Sequence, residues 1–291
     1  MFMRYTLLFF AASACAFGQH VVCTAEGRHG APPPAVSSDA VSVELNRHSA
    51  AIESWVPLRG DQANLELYIV IDDGADTDLA LQFDSLKHFV REQPATTKMG
   101  VAYLRNGSAN LAAAMTADRE KVEKSIRIPS GQPGIAASPY MGLSDLVKKW
   151  PAADARREVL LISSGSDPYS PADPQNPYLE KAIADAQRAG VLVHSIYYAG
   201  AGHMGHSYSL MNWGQSYLSQ LGDATGGEAY WQGSLSPVSF DPYLKDLAQQ
   251  LANQYLLTVG QNGLKTGLES LRITSSAAGL SIHAPSQIRM N

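Results

Sequence analysis

The sequence predicts an α/β fold: a doubly wound, mostly parallel sheet with helices on both faces, one antiparallel edge strand and a small C-terminal β appendage. Three observations predict it. Residues 65–71, 158–163 and 191–198 are short apolar runs, the pattern of parallel strands covered on both faces. Each run is followed by apolar residues at helical spacing, such as Leu79, Phe83, Leu86 and Val90 after the first. Between residues 99–105 and 109–115, Asn106-Gly107 offers the positive φ angles of a tight hairpin turn, which supplies the antiparallel edge.

The first 18 residues read as a secretory signal. Arg4 precedes an apolar run over 7–14, and Ala14-Cys15-Ala16 and Ala16-Phe17-Gly18 are small-x-small cleavage patterns. The run is too short to span a bilayer, and no later stretch is apolar for long enough to do so, so the expected mature chain is exported, secreted or periplasmic, with no transmembrane segment. Ala12-Ser13-Ala14-Cys15 also resembles a lipobox, in which Cys15 would be acylated and hold the protein on a membrane. Without Cys15 the remaining thiol is Cys23, and one cysteine makes no internal disulfide. Residues 19–40, with Gly27, Gly30 and Pro32-Pro33-Pro34, read as a flexible linker.

Residues 41–254 then form the main domain. Residues 41–45 and 52–56 alternate as strands lying beside the main sheet, and the unit from 65 onward carries the helices and buried strands. Leu143, Leu146, Val147 and Trp150 mark one helix, and Leu179, Ile183 and Ala186 another, which Gly190 terminates. Trp213, Tyr217, Leu218 and Leu221 mark a third, and Leu244, Leu247, Leu251 and Tyr255 a fourth. Residues 255–291 hold three short β runs, read as a C-terminal tail.

Composition narrows the function. The chain is 45% hydrophobic and 17% charged, ordinary for a globular protein, and its net charge of -5 argues against nucleic acid or an anionic membrane surface as partner. Chemistry concentrates where the first buried strand ends, at Asp72-Asp73-Gly74-Ala75-Asp76-Thr77-Asp78. Open α/β sheets build their sites at this carboxyl edge, here shared with Ser138 to Tyr140 and Ser164 to Asp167.

In this order of elements the chain resembles the von Willebrand factor A family, over roughly residues 41–260, with Thr225-Gly226-Gly227 before the last strand. The resemblance implies a Rossmann-like sheet and a metal-ion-dependent adhesion site built on Asp-x-Ser-x-Ser, a Thr and a second Asp. Asp72 holds the first position. Gly74 and Asp76 replace the two serines, Ser138 stands near the Thr, and Ser164 stands in place of the second Asp. The motif is degenerate. Asp72, Asp76, Ser138 and Ser164 would supply two carboxylates and two hydroxyls for Mg²⁺, with Asp73 or Asp78 behind them. The opposing reading is that the metal site is dead, no cofactor binds, and Asp76 caps the following helix.

The function implied is a non-enzymatic adhesion or binding module that meets a protein partner through Asp73, Gly74, Tyr140, Ser166 and Asp167. The alternatives are an exported hydrolase using the Asp72 to Asp78 loop, and a structural envelope lipoprotein. Gly200, Gly202 and Gly205 match a dinucleotide fingerprint in letters, with Asp223 at the distance of a ribose acid. They follow a late strand rather than the first, so no dinucleotide is expected. His203 and His206, with His194 before them, lack a helix to align their rings and a clear third ligand for zinc, and read as solvated. Tyr208, Trp213, Tyr217, Tyr230 and Trp231 read as core, or as an interaction surface where several are exposed together.

Overall fold

A computed structural model describes residues 19–28, 31–132, 138–170, 173–200, 207–230, 233, 235–260 and 266–290. The signal or lipobox with Cys15, together with Pro133, Gly134, Gly202, His203, Gly205, His206 and Trp231, lies outside the described residues.

The chain is α/β, with a six-stranded, mostly parallel sheet flanked by helices and two smaller antiparallel sheets. Strand β1 (Gln19–Gly27) comes first, then β2 (Val41–Leu45), β3 (His48–Ala50), β4 (Ile52–Pro57) and β5 (Leu65–Asp72). A 3₁₀ turn leads into α1 (Phe83–Glu92), followed by β6 (Thr97–Arg105), β7 (Ser108–Thr116), α2 (Arg119–Ser125) and α3 (Pro139–Lys149). The next units are β8 (Arg156–Ser163), α4 (Pro177–Ala189), β9 (Val191–Tyr197), α5 (Tyr208–Thr225), β10 (Ala229–Tyr230) and α6 (Asp241–Ala252). Four strands close the chain: β11 (Gln254–Val259), β12 (Gly267–Ser275), β13 (Leu280–His283) and β14 (Gln287–Met290).

The central sheet has the order β10-β9-β8-β5-β6-β7, and only β7 runs antiparallel. β5 sits in the middle because both faces of its run are apolar: Leu65, Leu67, Ile69 and Ile71 pack with α1 and α6, while Tyr68 and Val70 pack with α3, α4 and α5. β6 returns into β7 through Asn106 and Gly107, both at positive φ (54° and 66°), the paired geometry a two-residue hairpin requires. Gly190 closes α4 in the left-handed conformation at φ 65°, and its amide bonds back to the last helical turn.

The expectations for both ends need correction. The first part of the expected linker is a strand: β1 pairs antiparallel with β11 and β13. Its Val21, Cys23 and Ala25 are buried, so Cys23 is a core residue and not a thiol in a mobile segment. Nor do the last strands make an appendage of their own. β13-β1-β11-β4 form one sheet and β14-β12-β2-β3 the other, and their buried residues share one core of Val21, Val43, Leu45, Tyr255, Leu257 and Leu271. Chain start and chain end therefore build one β unit beside the central sheet, because neither alone has enough apolar surface to be covered. Among the described residues no helix is long and apolar enough to cross a membrane.

Candidate functional site at the carboxyl edge

The order of strands reverses between β5 and β8, since the chain winds away from β5 through α1 toward β6 and away from β8 through α4 toward β9. Loops leaving the two strands diverge there and open a crevice at the carboxyl edge. Asp72 ends β5 on one side of it, and Ser163 ends β8 on the other.

Asp72 uses both oxygens. Its Oδ1 accepts the Gly74 amide at 3.0 Å, and its Oδ2 accepts the Ser163 hydroxyl at 3.0 Å. Ser163 Oγ in turn accepts the Gly165 amide at 3.0 Å, so the chain of bonds crosses the switch point and fixes both loops. Burial pushes the Asp72 carboxyl up to about 6, against the pull of the Gly74 amide and the Ser163 hydroxyl. Asp73 points elsewhere. Arg127 Nη1 donates to it at 2.8 Å, and the Ser130 amide and hydroxyl donate at 2.9 and 3.0 Å. Burial raises its carboxyl, but these donors outweigh it and hold Asp73 below the usual range. Its task is to pin residues 127–130 over the end of β5.

Asp76 turns toward the neighbouring loop. Its Oδ1 accepts the Tyr198 hydroxyl at 2.6 Å and the Asp78 amide at 3.1 Å, while its own amide donates to the Gly200 carbonyl at 2.7 Å. A Cβ at Gly200 would be driven into the Asp76 carboxylate, so Gly200 makes room for an acid and not for a pyrophosphate. Asp223 lies exposed on α5. The capping role expected of Asp76 is present, at the head of the 3₁₀ turn that precedes α1.

Ser138 and Asp167 do come together. The Ser138 hydroxyl caps α3 and donates to Asp167 Oδ2 at 2.7 Å. Asp167, wholly buried, also accepts the Asn176 side-chain amide at 3.1 Å and the Tyr169 amide at 2.9 Å. Ser164 Oγ accepts the Ser166 amide at 3.3 Å, a turn within its own loop. Tyr140 is fully buried and its hydroxyl donates to the Gly165 carbonyl at 2.7 Å. Gly165 itself has φ 66° and packs backbone to backbone against Gly214 of α5.

Of the four expected metal ligands, Asp72 is held by Ser163, Asp76 by Tyr198, and Ser138 by Asp167, while Ser164 closes its own turn. Each has a partner of its own, and among the described residues no hydrogen bond joins any two of the four, so the structure does not gather them into one octahedral Mg²⁺ shell. Among the described residues no group of three or more His, Cys, Asp or Glu side chains is placed to hold a metal. Of the expected partner contacts, Asp73, Gly74, Tyr140 and Asp167 are buried, and only Ser166 keeps exposure. Carboxylates beside a strand end are drawn inward here by amides and hydroxyls, so neighbouring residues form the surface.

That surface carries exposed apolar side chains among polar ones such as Asp78, Arg127 and Asp173. Large hydrophobics left exposed among the described residues are Leu81, Leu111, Ile128, Tyr169, Tyr208, Leu235 and Val238. All except Leu111, on the edge strand β7, lie in segments at the carboxyl edge: after β5, between Arg127 and Ser130, after β8, after β9 and after β10. Gln82 ties two of these segments together, its side-chain amide donating to the Pro237 and Val238 carbonyls at 3.3 and 3.2 Å. Among the described members of the aromatic group, Tyr217 and Tyr230 are core residues, Trp213 is half-buried and Tyr208 is exposed. His194, on strand β9, is completely buried, with Nε2 2.8 Å from Glu158 and Nδ1 accepting the Glu228 amide at 3.1 Å.

No family model matches the sequence, and no curated protein matches it. The structure is similar to solved von Willebrand factor A structures. One is a type A protein from Catenulispora acidiphila, at 9% identity and a TM-score of 0.45, with 97% of this chain and 76% of that one covered. Another is the domain of the type V pili tip protein Mfa5 from Porphyromonas gingivalis, at 11% identity and a TM-score of 0.45, covering 67% and 95%. An aerotolerance-related membrane protein from Bacteroides fragilis aligns at 13% identity and a TM-score of 0.45, covering 64% and 98%. The likeness is one of fold.

Proposed function

We propose that this chain is an exported, non-enzymatic binding module that engages a protein partner through the carboxyl edge of its central sheet, without a divalent metal. One observation carries the reading: six of the seven exposed large hydrophobics among the described residues, Leu81, Ile128, Tyr169, Tyr208, Leu235 and Val238, lie in the segments at that edge. Apolar side chains concentrated on one rim mark an interaction surface more than a catalytic one. The polar groups behind them have internal partners and act as a rigid frame for that rim.

The hydrolase alternative rests on Asp72, whose carboxyl at about 6 lies in the range of an acid–base group. Against it, both Asp72 oxygens are engaged, and the hydroxyl it meets, Ser163, has no histidine or lysine hydrogen-bonded to it among the described residues. Photo-crosslinking in the producing cells tests the proposal. A benzophenone residue at Leu81 or Val238 gives a discrete protein adduct, and Leu81→Asp combined with Val238→Asp abolishes partner retention. Equal adducts from Leu111 on β7, or turnover of generic ester, phosphate or peptide substrates that is lost in Asp72→Asn, would overturn it.

A further inference from the structure

At the opposite end of the central sheet, where its amino edge meets the two antiparallel sheets, lies a cavity of about 530 Å³. That volume is in the range of small-molecule sites. Its walls bring together Arg156 and Arg157 from β8, Arg188 from α4 and Arg289 from β14, against one carboxylate, Asp154. Such an excess of cations is unexpected in a chain of net charge -5. Arg157 is already used: it donates to the carbonyls of Trp150, Pro151 and Ala189, closing the ends of α3 and α4.

Arg156 is different. Its side chain is only 6% exposed, and its Nε and Nη1 have no hydrogen-bond partner. The nearest carboxylate oxygen, Glu158 Oε1, stands 3.7 Å from Nε, beyond hydrogen-bond length, and is itself unpartnered. Glu158's other oxygen is taken by His194. Because His194 Nδ1 accepts the Glu228 amide, its proton resides on Nε2, so the neutral ring donates to Glu158 and adds no charge to the group. A buried guanidinium with unmet donors and a loosely placed counter-ion is costly, and folded proteins satisfy such groups with a partner.

We propose that this cavity is a binding site for a small organic molecule bearing a phosphate or carboxylate oxyanion, with Arg156 inside and the exposed Arg188 and Arg289 at the mouth. An oxyanion brings the negative charge that this cluster of arginines lacks and acceptors matched to the planar donor forks of Arg188 and Arg289, while the enclosed Arg156 adds its charge from the wall. Arg188 is available to share, since its contact to Asp185 is long, at 3.5 Å. The site is independent of the carboxyl-edge rim and stands or falls without it.

Isothermal titration of the full chain with sodium phosphate and with citrate, against glucose and against sodium chloride of matched ionic strength, tests the assignment. Saturable binding of at least one anion and none of glucose is expected. Arg188→Ala combined with Arg289→Ala, both exposed positions, should weaken it about tenfold or more, and Arg156→Met should weaken it further. Because Arg156→Met can also disturb the fold, the surface pair is the deciding variant. Binding that is unchanged in that pair, or no binding of either anion by the wild-type chain, would overturn the proposal.

Discussion

Replacing Asp72 by Asn should make the protein more stable at neutral pH and leave it unchanged in acid. The carboxyl is raised from 3.8 to about 6, so between those values the folded chain holds a proton that the unfolded chain has released. Stability contributed by this group therefore falls as pH rises from about 4 to 6, and the ionised carboxylate is a standing cost above pH 6. The shift of about two pKa units corresponds to at most about 3 kcal/mol. Partial exposure of Asp72 brings the expected gain down to about 1–2 kcal/mol. Asn keeps the geometry: its Oδ1 still accepts the Gly74 amide, and its amide can donate to Ser163 Oγ, which has a second lone pair beyond the one taken by Gly165. Urea unfolding followed by tryptophan fluorescence at pH 4, 5, 6 and 7.5 gives the difference directly. A gap between variant and wild type that opens with pH is the expected result, and 10 mM Mg²⁺ should move neither curve. A variant less stable than wild type at pH 7.5, or a Mg²⁺-dependent gain confined to the wild type, would refute the reasoning and restore a metal to Asp72.

Three further substitutions probe the frame. Gly214→Ala forces a Cβ into the Ser164 carbonyl, lifts α5 off the β8 loop and should cost about 2–3 kcal/mol in urea unfolding. Tyr140→Phe deletes the buried bond to the Gly165 carbonyl and leaves that acceptor unmet, for a loss of about 1–2 kcal/mol by the same measurement. Glu158→Gln removes the carboxylate facing both Arg156 and His194 and should lower stability by about 3 kcal/mol, seen as a fall in thermal midpoint of about 6–12 °C.

The central sheet was legible in the sequence because its strands are apolar on both faces and its turns carry their own chemistry, Asn106-Gly107 and Gly190 above all. β1 was not, because Gly27, Gly30 and the three prolines beside it suggest a linker, and its partner β11 begins at Gln254, near the far end of the chain. The same holds for the site. Asp72 is marked by its place at a strand end, but Ser163 lies 91 residues away and the Tyr198 that claims Asp76 lies 122 away. Local pattern finds the acids, while long-range folding decides which donors reach them. Asp167 could have been weighed more heavily, since an acid four residues past a buried strand is well placed to be enclosed; Ser138 and Asn176 enclose it.

The carboxyl edge is organised by how its charge is compensated. Hydrogen bonds compensate its acids one by one: Ser163 for Asp72, Arg127 for Asp73, Tyr198 for Asp76 and Ser138 for Asp167. On the proposed reading the acids of the frame are held inside, and affinity comes chiefly from covering Leu81, Tyr208, Leu235 and Val238. Binding through that rim should therefore show a negative heat-capacity change and vary less than about threefold between 50 and 500 mM NaCl, because screening weakens exposed charge pairs and leaves apolar burial intact. Chelation with EDTA should leave it unchanged. Calorimetry of the purified complex at three temperatures and two salt concentrations measures all of this, and a tenfold loss in high salt or on chelation would mean that the carboxylates, and not the apolar rim, make the contact.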